Sequence, residues 1–424
     1  MRRLLSKVAV DIGPLKRHRD YRLLFGGRAF SQFGGMFTYV AIPYQAYALS
    51  GSSLVVGLLG VAELLPLLVA AMLGGMLADA RDRRRMVQLT ELALALASGV
   101  LLVNALLPDP QLWVIFVIAA IMSTLEGLQR PSLDAMEPRL VDQDEIPAVG
   151  ALRWLSGDVS MVAGPALAGL TIAAAGLPAT YGVDVLTFLV SLGALRMMKA
   201  VPPPVGSSGT SLRSVKEGVS YVRTRPDLLG TYTVDIIAMF FGMPMALFPA
   251  MADRLGGAGA LGLLYAAPSI GSGLVAVSSG WVTHVNRQGR AICFAAASWG
   301  LAIIAFGFAP TLLVAVVALA LAGAGDGISG LFRMTVWNQT IPDRLRGRLA
   351  GIEQLSYSTG PLLGNVESGV AASLLSVRAA VVSGGVLCVV GVGIAALALP
   401  ALWNYDARAM RKLRDETPAP QAAA

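Results

Sequence analysis

Charged side chains inside the long apolar runs of this sequence are the residues best suited to carry chemistry. The first half contains Arg28, Glu63 and Asp158, and the second half contains Asp235 and Asp326. A charge surrounded by hydrocarbon is costly, so a carboxyl group in such a run has a reason to take up and release a proton. We expect proton carriers among these five residues. The alternative is that each is satisfied by a structural contact or faces water near a helix end.

Arg28 and Asp158 form the most specific pair among these candidates. Each lies a similar number of residues from the basic end of its apolar run, so the two side chains are expected at equal depth. A carboxylate beside an arginine keeps its charge, and it accepts a proton more readily when the arginine moves away. The sequence therefore predicts an Arg28–Asp158 pair that stores or releases a proton.

A second group of residues is suited to binding. Aromatic and methionine side chains occur in the first, seventh and eighth apolar runs, namely Phe33, Tyr44, Tyr47, Met239, Phe240, Met243 and Tyr265. Such side chains repack around ligands of different shape, so they could line an adaptable apolar cavity. Packing in the protein core or against lipid is the alternative.

The remaining reactive residue types argue against an enzyme. The two histidines, His18 and His284, lie outside the apolar runs, and the two cysteines, Cys293 and Cys388, lie inside them. This pattern provides neither a catalytic triad nor a set of metal ligands. A glycine pattern at 325–330 matches a dinucleotide motif, but it falls within an apolar run with no preceding strand. We therefore expect no metal, no cofactor and no enzymatic activity.

The apolar runs themselves define the fold class. Of the 424 residues, 55% are apolar and 14% are charged, whereas soluble proteins carry about 25% charged residues. A membrane-spanning helix needs ~20 apolar residues, and long runs without alternation favour helices over barrel strands. We predict an all-α polytopic membrane protein with twelve transmembrane helices, at residues 22–49, 54–78, 86–107, 112–133, 147–174, 180–198, 227–252, 259–282, 291–309, 312–337, 349–374 and 378–400.

Basic residues set the expected orientation. Most of the 33 Lys and Arg residues fall in the two chain ends and in alternate loops. Positive loops stay in the cytoplasm, so both termini are expected there, in a cytoplasmic (inner) membrane. The net charge of +7 is thereby explained by topology. Nucleic-acid binding is disfavoured because these charges are spread over short loops that do not form one basic face.

An internal repeat indicates two halves. At an offset of 205 residues, Gly57-Leu58-Leu59 matches Gly262-Leu263-Leu264, and at an offset of 203 the sequence ending at Arg130 matches that ending at Arg333. We predict two pseudo-symmetric six-helix bundles, at 1–200 and 226–400, joined by a cytoplasmic linker with an amphipathic helix at 201–225 and followed by a cytoplasmic tail at 401–424. Arg130 and Arg333 are expected near cytoplasmic helix ends, where long side chains reach water.

The loop after the second apolar run carries a recognisable motif. It combines a small residue, an acid at the membrane edge and a following arginine cluster, in the residues Gly75, Leu77, Ala78, Asp79, Arg83 and Arg84. This pattern resembles the hallmark loop of the major facilitator superfamily, with Ala80 and Asp82 in place of the usual arginine and glycine. The resemblance implies that Asp79 pairs near the start of the eleventh span, around Arg348 to Gly351, and latches the two halves together.

A second motif supports the same family. Gly164, Pro165 and Gly169 are similar to the glycine-proline element of antiporters in this superfamily, although Ser160 and Ala168 replace typical glycines. Small residues let helices approach, and a proline removes one backbone hydrogen bond. The resemblance extends over nearly the whole chain and is closest to the drug and siderophore exporter branch.

The sequence thus predicts a secondary transporter, expected as a monomer in the lipid bilayer. It would export an amphipathic small molecule, a drug or a siderophore-like metabolite, by alternating access and in exchange for protons. A solute importer or facilitator of the same fold is the alternative within this class. A membrane-embedded enzyme is the alternative from another class, and the reactive residues described above disfavour it.

Overall fold

All regular structure in the described part of the chain is helical. The computed structural model describes residues 11–80, 82–201, 220–341 and 343–408. No β-strand occurs in these ranges, which confirms the all-helical class. The amphipathic helix expected in the linker falls largely on residues 202–219 and lies outside the described residues.

The helices follow one another with short connections. The first six are α1 (Gly13–Arg17), α2 (Arg19–Ser50), α3 (Ser53–Ala80), α4 (Arg83–Leu106), α5 (Leu112–Met136) and α6 (Ile146–Arg196). The others are α7 (Pro226–Phe241), α8 (Phe248–Leu255), α9 (Gly257–Val277), α10 (Gln288–Gly307), α11 (Leu312–Thr340), α12 (Asp343–Leu374), α13 (Val377–Ala398) and α14 (Pro400–Trp403).

Contacts divide the chain into two compact units. The first comprises Met1–Thr210 and Met245–Ala266, and the second comprises Ser211–Pro244 and Ala267–Ala424. In the first unit α2 packs along α6, and α3 packs along α5. In the second unit α10 packs against α11 and α13, while α7 packs against α12 and α13.

Helix α6 contains two helical parts separated by a break. Gly176 has φ 79° and ψ 179°, a conformation that only glycine adopts without strain. Pro178 follows, and a proline is tolerated at the start of a helix because its missing N–H needs no partner there. The break separates the predicted fifth and sixth spans, whose intervening loop was expected at 175–179.

The predicted seventh span is interrupted, which differs from the continuous run at 227–252. Helix α7 ends at Phe241, a short 3-10 turn covers Met245–Leu247, and α8 begins at Phe248. Gly242 and Pro244 favour this break because neither residue supports a continuing helix. The indole Nε1 of Trp299 donates to the carbonyl oxygen of Gly242 at 2.7 Å, so the freed carbonyl keeps a hydrogen-bond partner.

Helix ends outside the apolar segments carry polar caps. Asp82 accepts a hydrogen bond from the backbone N–H of Arg85 at 3.1 Å at the start of α4. Ser376 does the same for Ala379 at 3.2 Å at the start of α13. Gly51 ends α2 in the left-handed region, at φ 64°. The side chains of Asp82 and Ser376, and the backbone N–H of Gly51, which donates to the carbonyl oxygen of Tyr47, pair with backbone groups that the helix ends leave free.

Many helices present apolar side chains outward. Nine helical segments in the described part of the chain are long and apolar enough to cross a membrane. Large apolar residues such as Leu65, Leu274 and Leu397 are exposed on them. Exposed leucine over whole helices is costly in water and neutral in lipid, so these surfaces fit a hydrocarbon environment.

Replacing Gly271 with leucine should destabilise the second unit. A Cβ at Gly271 would fall on the carbonyl oxygen of Ala320 in α11, whereas a Cβ at Gly273, on the same helix, would meet open space. Overpacking a tight contact costs about 1–3 kcal/mol. We expect Gly271→Leu to lower the melting temperature of the detergent-purified protein and Gly273→Leu to leave it unchanged. Equal melting temperatures for the two variants would contradict the close approach of α9 and α11.

Candidate functional site

The second unit contains a buried cluster of one arginine and two aspartates. Asp235 lies on α7, and Asp326 and Arg333 lie on α11, seven residues apart and therefore on one face of that helix. Arg333 forms an ion pair with Asp235, and its Nη2 lies 3.3 Å from Oδ1 of Asp326. The side chains of Arg333 and Asp235 are each 2% exposed, but that of Asp326 is 40% exposed.

Aromatic side chains surround this cluster. The guanidinium carbon of Arg333 lies 5.6 Å from the centre of the Tyr357 ring on α12. Trp337 donates from its indole Nε1 to Oγ1 of Thr231 at 2.9 Å, and its ring stacks on Tyr232 at 5.1 Å. Ring faces attract a guanidinium and exclude water from it. The Arg333 end of the cluster therefore lies among aromatic side chains, while Asp326 is more exposed.

The cluster brings together residues that sequence reasoning had treated separately. Asp235 and Asp326 were both predicted proton carriers, whereas Arg333 was expected to reach water at a helix end. That expectation for Arg333 was wrong, because its side chain turns toward the aspartates and is buried. With both carboxyl groups ionised the cluster has one excess negative charge, and a proton on either carboxyl removes that excess.

Arg28 has acidic partners other than the predicted one. Its Nη1 lies 2.7 Å from Oε1 of Glu137, and Asp134 is 3.7 Å away. Arg153 contacts the same two acids at 3.4 and 3.2 Å. Asp158 is exposed and has no ion pair with any residue the structure describes. The predicted Arg28–Asp158 pair is therefore not formed, since Asp134 and Glu137 at the end of α5 already hold Arg28.

Glu63 lies half-buried on α3. Its carboxyl group is within electrostatic range of Glu126 on α5. Its backbone carbonyl accepts a hydrogen bond from Ser123 at 2.5 Å, which ties α3 to α5. Two carboxyl groups close together disfavour double ionisation, so the surroundings of Glu63 are compatible with proton binding. That role stays a prediction.

Two buried acids in the first unit were missed from the sequence. Asp184 on α6 is fully buried, and its Oδ2 accepts hydrogen bonds from Thr38 at 2.5 Å and Ser98 at 2.6 Å. Its Oδ1 has no partner among the described residues. Glu91 on α4 accepts from Gln129 at 2.9 Å. Both acids lie within predicted spans, so the rule that selected Glu63 would also have found them.

The glycine-proline motif of α6 lies at tight helix contacts within the first unit. A Cβ at Gly164 would meet Cβ of Met36 on α2 at 2.5 Å. A Cβ at Gly169 would meet Cα of Gly262 on α9 at 2.7 Å, and a Cβ at Gly262 would meet the carbonyl oxygen of Pro165. The motif therefore allows α6 to touch both α2 and α9 with almost no side-chain spacing.

The loop motif is only partly described. Gly75 and Asp79 lie in α3, but the Asp79 side chain and the side chains of Arg348 and the residues next to it are outside the described part. Arg83 is buried and donates to the carbonyl oxygen of Ala135 at 3.3 Å. Arg84 donates to the carbonyl oxygen of Arg196 at 3.2 Å. Both arginines thus bind helix C-termini, and the latch of Asp79 stays a prediction.

The predicted cavity residues have different surroundings. Tyr265 is buried against Tyr39 and Phe248, with ring centres 5.3 and 5.0 Å apart. Met239 is buried where Gly360 and Gly364 approach it. The others are partly exposed: Phe33, Tyr44, Tyr47, Phe240 and Met243. Tyr265 and Met239 therefore serve packing in this structure, while the partly exposed residues remain candidates for contact with a ligand.

One further group of possible ligand atoms lies at the start of α2. Nε2 of His18 is 2.6 Å from Oε2 of Glu145 and 3.8 Å from Asp142. Nη1 of Arg17 lies 3.2 Å from the other oxygen of Glu145. Because Arg17 already supplies a positive charge to Glu145, this arrangement is better suited to an ion-pair network than to a metal ion.

Comparison with known proteins identifies the family. Residues 10–423 match the major facilitator family described as transmembrane secretion effectors. The enterobactin exporter EntS of Shigella boydii serotype 4 (strain Sb227) is 29% identical over 385 residues, covering 90% of this chain and 92% of that protein. The enterobactin exporter EntS of Escherichia coli O1:K1 / APEC has the same identity and coverage.

Solved structures show the same fold at low sequence identity. A POT family transporter in complex with a thioalcohol conjugated peptide has a TM-score of 0.69 at 12% identity, covering 91% of this chain and 96% of that chain. A bacterial homologue of the iron transporter ferroportin, in an inward-facing state, has a TM-score of 0.65 at 17% identity, covering 91% and 98%. These similarities concern the fold alone.

The family match confirms the resemblance drawn from the loop and glycine-proline motifs, and it identifies a multi-pass membrane transporter rather than an enzyme. With a match over nearly its whole length, the chain belongs to the transmembrane secretion effector family of the major facilitator superfamily.

Proposed function

We propose that this protein exports an amphipathic small molecule across the cytoplasmic membrane in exchange for protons. This architecture would have twelve crossings. Nine helical segments of the described chain meet the length and hydropathy of a span, and α2, α12 and the division of α6 into two parts would supply the other three. An even number of crossings agrees with basic residues at both chain ends. The two sequence halves would then form two six-helix bundles, and the termini would be cytoplasmic.

The proposed substrate class is a siderophore-like metabolite, with amphipathic drugs as a related class. The relatives that cover most of the chain are named as enterobactin exporters. Partly exposed aromatic and methionine side chains on α2 and α7 supply surfaces that adapt to a bulky aromatic ligand. Export rather than import rests on those names and on the glycine-proline motif.

The observation that carries the proton part of the proposal is the cluster of Asp235, Arg333 and Asp326. Arg333 and Asp235 are buried together, so this ion pair stays closed. Asp326 has a longer contact with Arg333 and an exposed carboxyl group. We assign the exchangeable proton to Asp326 because its carboxyl group is the more exposed of the two. Protonation there leaves one cation facing one carboxylate.

Alternating access would then follow from competition between the proton and the substrate for the two states of the cluster. With Asp326 protonated, Arg333 keeps its ion pair with Asp235 and loses its charged contact with Asp326, so α11 loses one electrostatic contact along its length. Substrate binding that favours the ionised cluster would release the proton, and proton binding would release the substrate. Exchange of one for the other is the condition for coupled export.

Transport measurements with Asp326→Asn test this proposal. We use everted membrane vesicles from cells lacking their own enterobactin exporters, impose an acidic lumen, and measure enterobactin uptake. The wild-type protein should accumulate enterobactin and lose accumulation when the pH gradient is collapsed. The asparagine amide cannot release a proton, so gradient-driven uptake by the variant should fall about tenfold or more. Enterobactin binding should change by less than about threefold, because an amide keeps the shape of the side chain.

A matched control is Asp144→Asn, which neutralises an exposed carboxyl group in the short turn before α6. This variant should transport like the wild-type protein. Uptake that is indifferent to the pH gradient in the wild-type protein would favour a facilitator. Gradient-driven uptake retained in full by Asp326→Asn would contradict the assignment of the proton to this carboxyl group.

The contact of α6 with α9 provides a second prediction. Movement during transport should repeatedly close and open this contact, and a large side chain at Gly262 would prevent closure against Pro165 and Gly169. We expect Gly262→Leu to be made in normal amounts and to lose most enterobactin uptake in the same vesicles. Gly259→Leu, on the same helix but facing open space, should retain uptake. Similar uptake by both variants would show that the contact is not part of the transport cycle.

A further inference from the structure

A basic pocket opens between the start of α4 and the end of α6 in the first unit. Its volume is about 240 Å³, and its walls are formed by Arg85, Gln88, Leu89, Leu92, Leu192 and Arg196. The proposed topology places these helix ends at the cytoplasmic surface of the membrane. The pocket therefore lies at the depth of lipid headgroups.

The two walls of the pocket are held in place by hydrogen bonds between the helices. Nε2 of Gln88 donates to the carbonyl oxygen of Leu195 at 3.0 Å, and Nη2 of Arg84 donates to that of Arg196 at 3.2 Å. Both acceptors belong to the last turn of α6, whose carbonyl groups have no partner within the helix. The spacing of the two walls is thus fixed by the fold.

Arg85 and Arg196 supply the charge of the pocket. Both side chains are exposed, and neither forms an ion pair with a residue the structure describes. The neighbouring acid, Asp82, accepts a hydrogen bond from the backbone N–H of Arg85 and caps α4. A guanidinium group presents several N–H donors that match phosphate oxygens. Two such groups at one pocket favour an anionic, phosphate-bearing ligand.

Below the arginines, both helices present leucine to the membrane. On α4 the face of Arg85 continues through Leu89, Leu92 and Leu96, which are 66%, 37% and 64% exposed. On α6 the face of Arg196 continues through Leu192, which is buried at 6% exposure, to Leu189, which is 48% exposed. Positions three or four apart lie on one side of a helix. Each wall therefore joins a cation at the surface to an apolar stripe toward the membrane interior.

We propose that this pocket binds one anionic phospholipid of the cytoplasmic leaflet. The phosphodiester group accepts hydrogen bonds from Arg85 and Arg196, and an acyl chain lies along the leucine stripes. Free phosphate would use the arginines but not the leucines, so the apolar faces favour a lipid. The proposal rests on the membrane orientation in the proposed function and is independent of the substrate and of proton coupling.

Native mass spectrometry of the purified protein tests this site. The protein is delipidated in detergent and titrated with dioleoyl phosphatidylglycerol or, separately, dioleoyl phosphatidylcholine. The wild-type protein should bind one phosphatidylglycerol more tightly than any phosphatidylcholine. A basic residue near an anionic headgroup contributes about fivefold in affinity, so Arg85→Gln with Arg196→Gln should weaken this binding by about 25-fold. Arg85→Lys with Arg196→Lys should weaken this binding less than the glutamine pair does, because the charge is kept while the paired N–H donors of the guanidinium groups are lost.

A matched control removes two charges elsewhere. Arg223 and Arg287 of the second unit are also exposed and have no ion pair with described residues. The double variant Arg223→Gln with Arg287→Gln should bind phosphatidylglycerol like the wild-type protein. All variants concern exposed side chains, and their melting temperatures verify that they are folded.

Three results would overturn the proposal. Equal loss of phosphatidylglycerol from both glutamine double variants would show a general charge effect. Equal binding of phosphatidylcholine and phosphatidylglycerol would show that the pocket does not select an anionic lipid. Displacement of phosphatidylglycerol by millimolar inorganic phosphate would show a phosphate site without use of the leucine stripes. None of these results would bear on proton-coupled export, which the vesicle measurements test separately.

Discussion

The ion pair of Arg333 with Asp235 is the interaction on which the functional interpretation depends. A buried cation needs a partner of opposite charge, and Asp235 supplies that charge to Arg333 in this structure. That requirement leaves Asp326 as the second, more exposed carboxyl group of the cluster. In the proposed mechanism one proton on Asp326 balances the charges of these three side chains, and the ring of Tyr357 packs against the guanidinium group of Arg333.

The two units stabilise their buried carboxyl groups through different partners. In the first unit Asp184 is held by the hydroxyl groups of Thr38 and Ser98, and no described residue supplies it with a cation. Such a group connects α2, α4 and α6 through hydrogen bonds, which suits a structural role. Arg130, the repeat equivalent of Arg333, is exposed. The two arginines that the predicted repeat aligns therefore differ in burial, and this difference favours the second unit for the proposed proton exchange.

Sequence patterns were sufficient for the all-helical class and the family. They also pointed to Asp235 and Asp326, whose role as proton carriers stays a prediction. These properties follow from long apolar runs and from acids within them. The sequence did not predict which charged side chains pair with each other, because the partner of a charge depends on helix rotation and on the turns between helices. Arg28 pairs with Glu137 for this reason, and Arg333 is buried instead of reaching water. Gly242 and Pro244 could have indicated the break in the seventh span. The apolar run is long, however, and it was therefore interpreted as one continuous helix.

Proton release on substrate binding is the most direct measurement of the central claim. Purified protein in weak buffer is mixed with enterobactin, calorimetry verifies binding, and a pH indicator reports released protons. The account predicts about one proton released per bound enterobactin by the wild-type protein and by Asp144→Asn, and none by Asp326→Asn. Equal proton release by the wild-type protein and Asp326→Asn would contradict the account, because the proton would then come from a group outside the cluster.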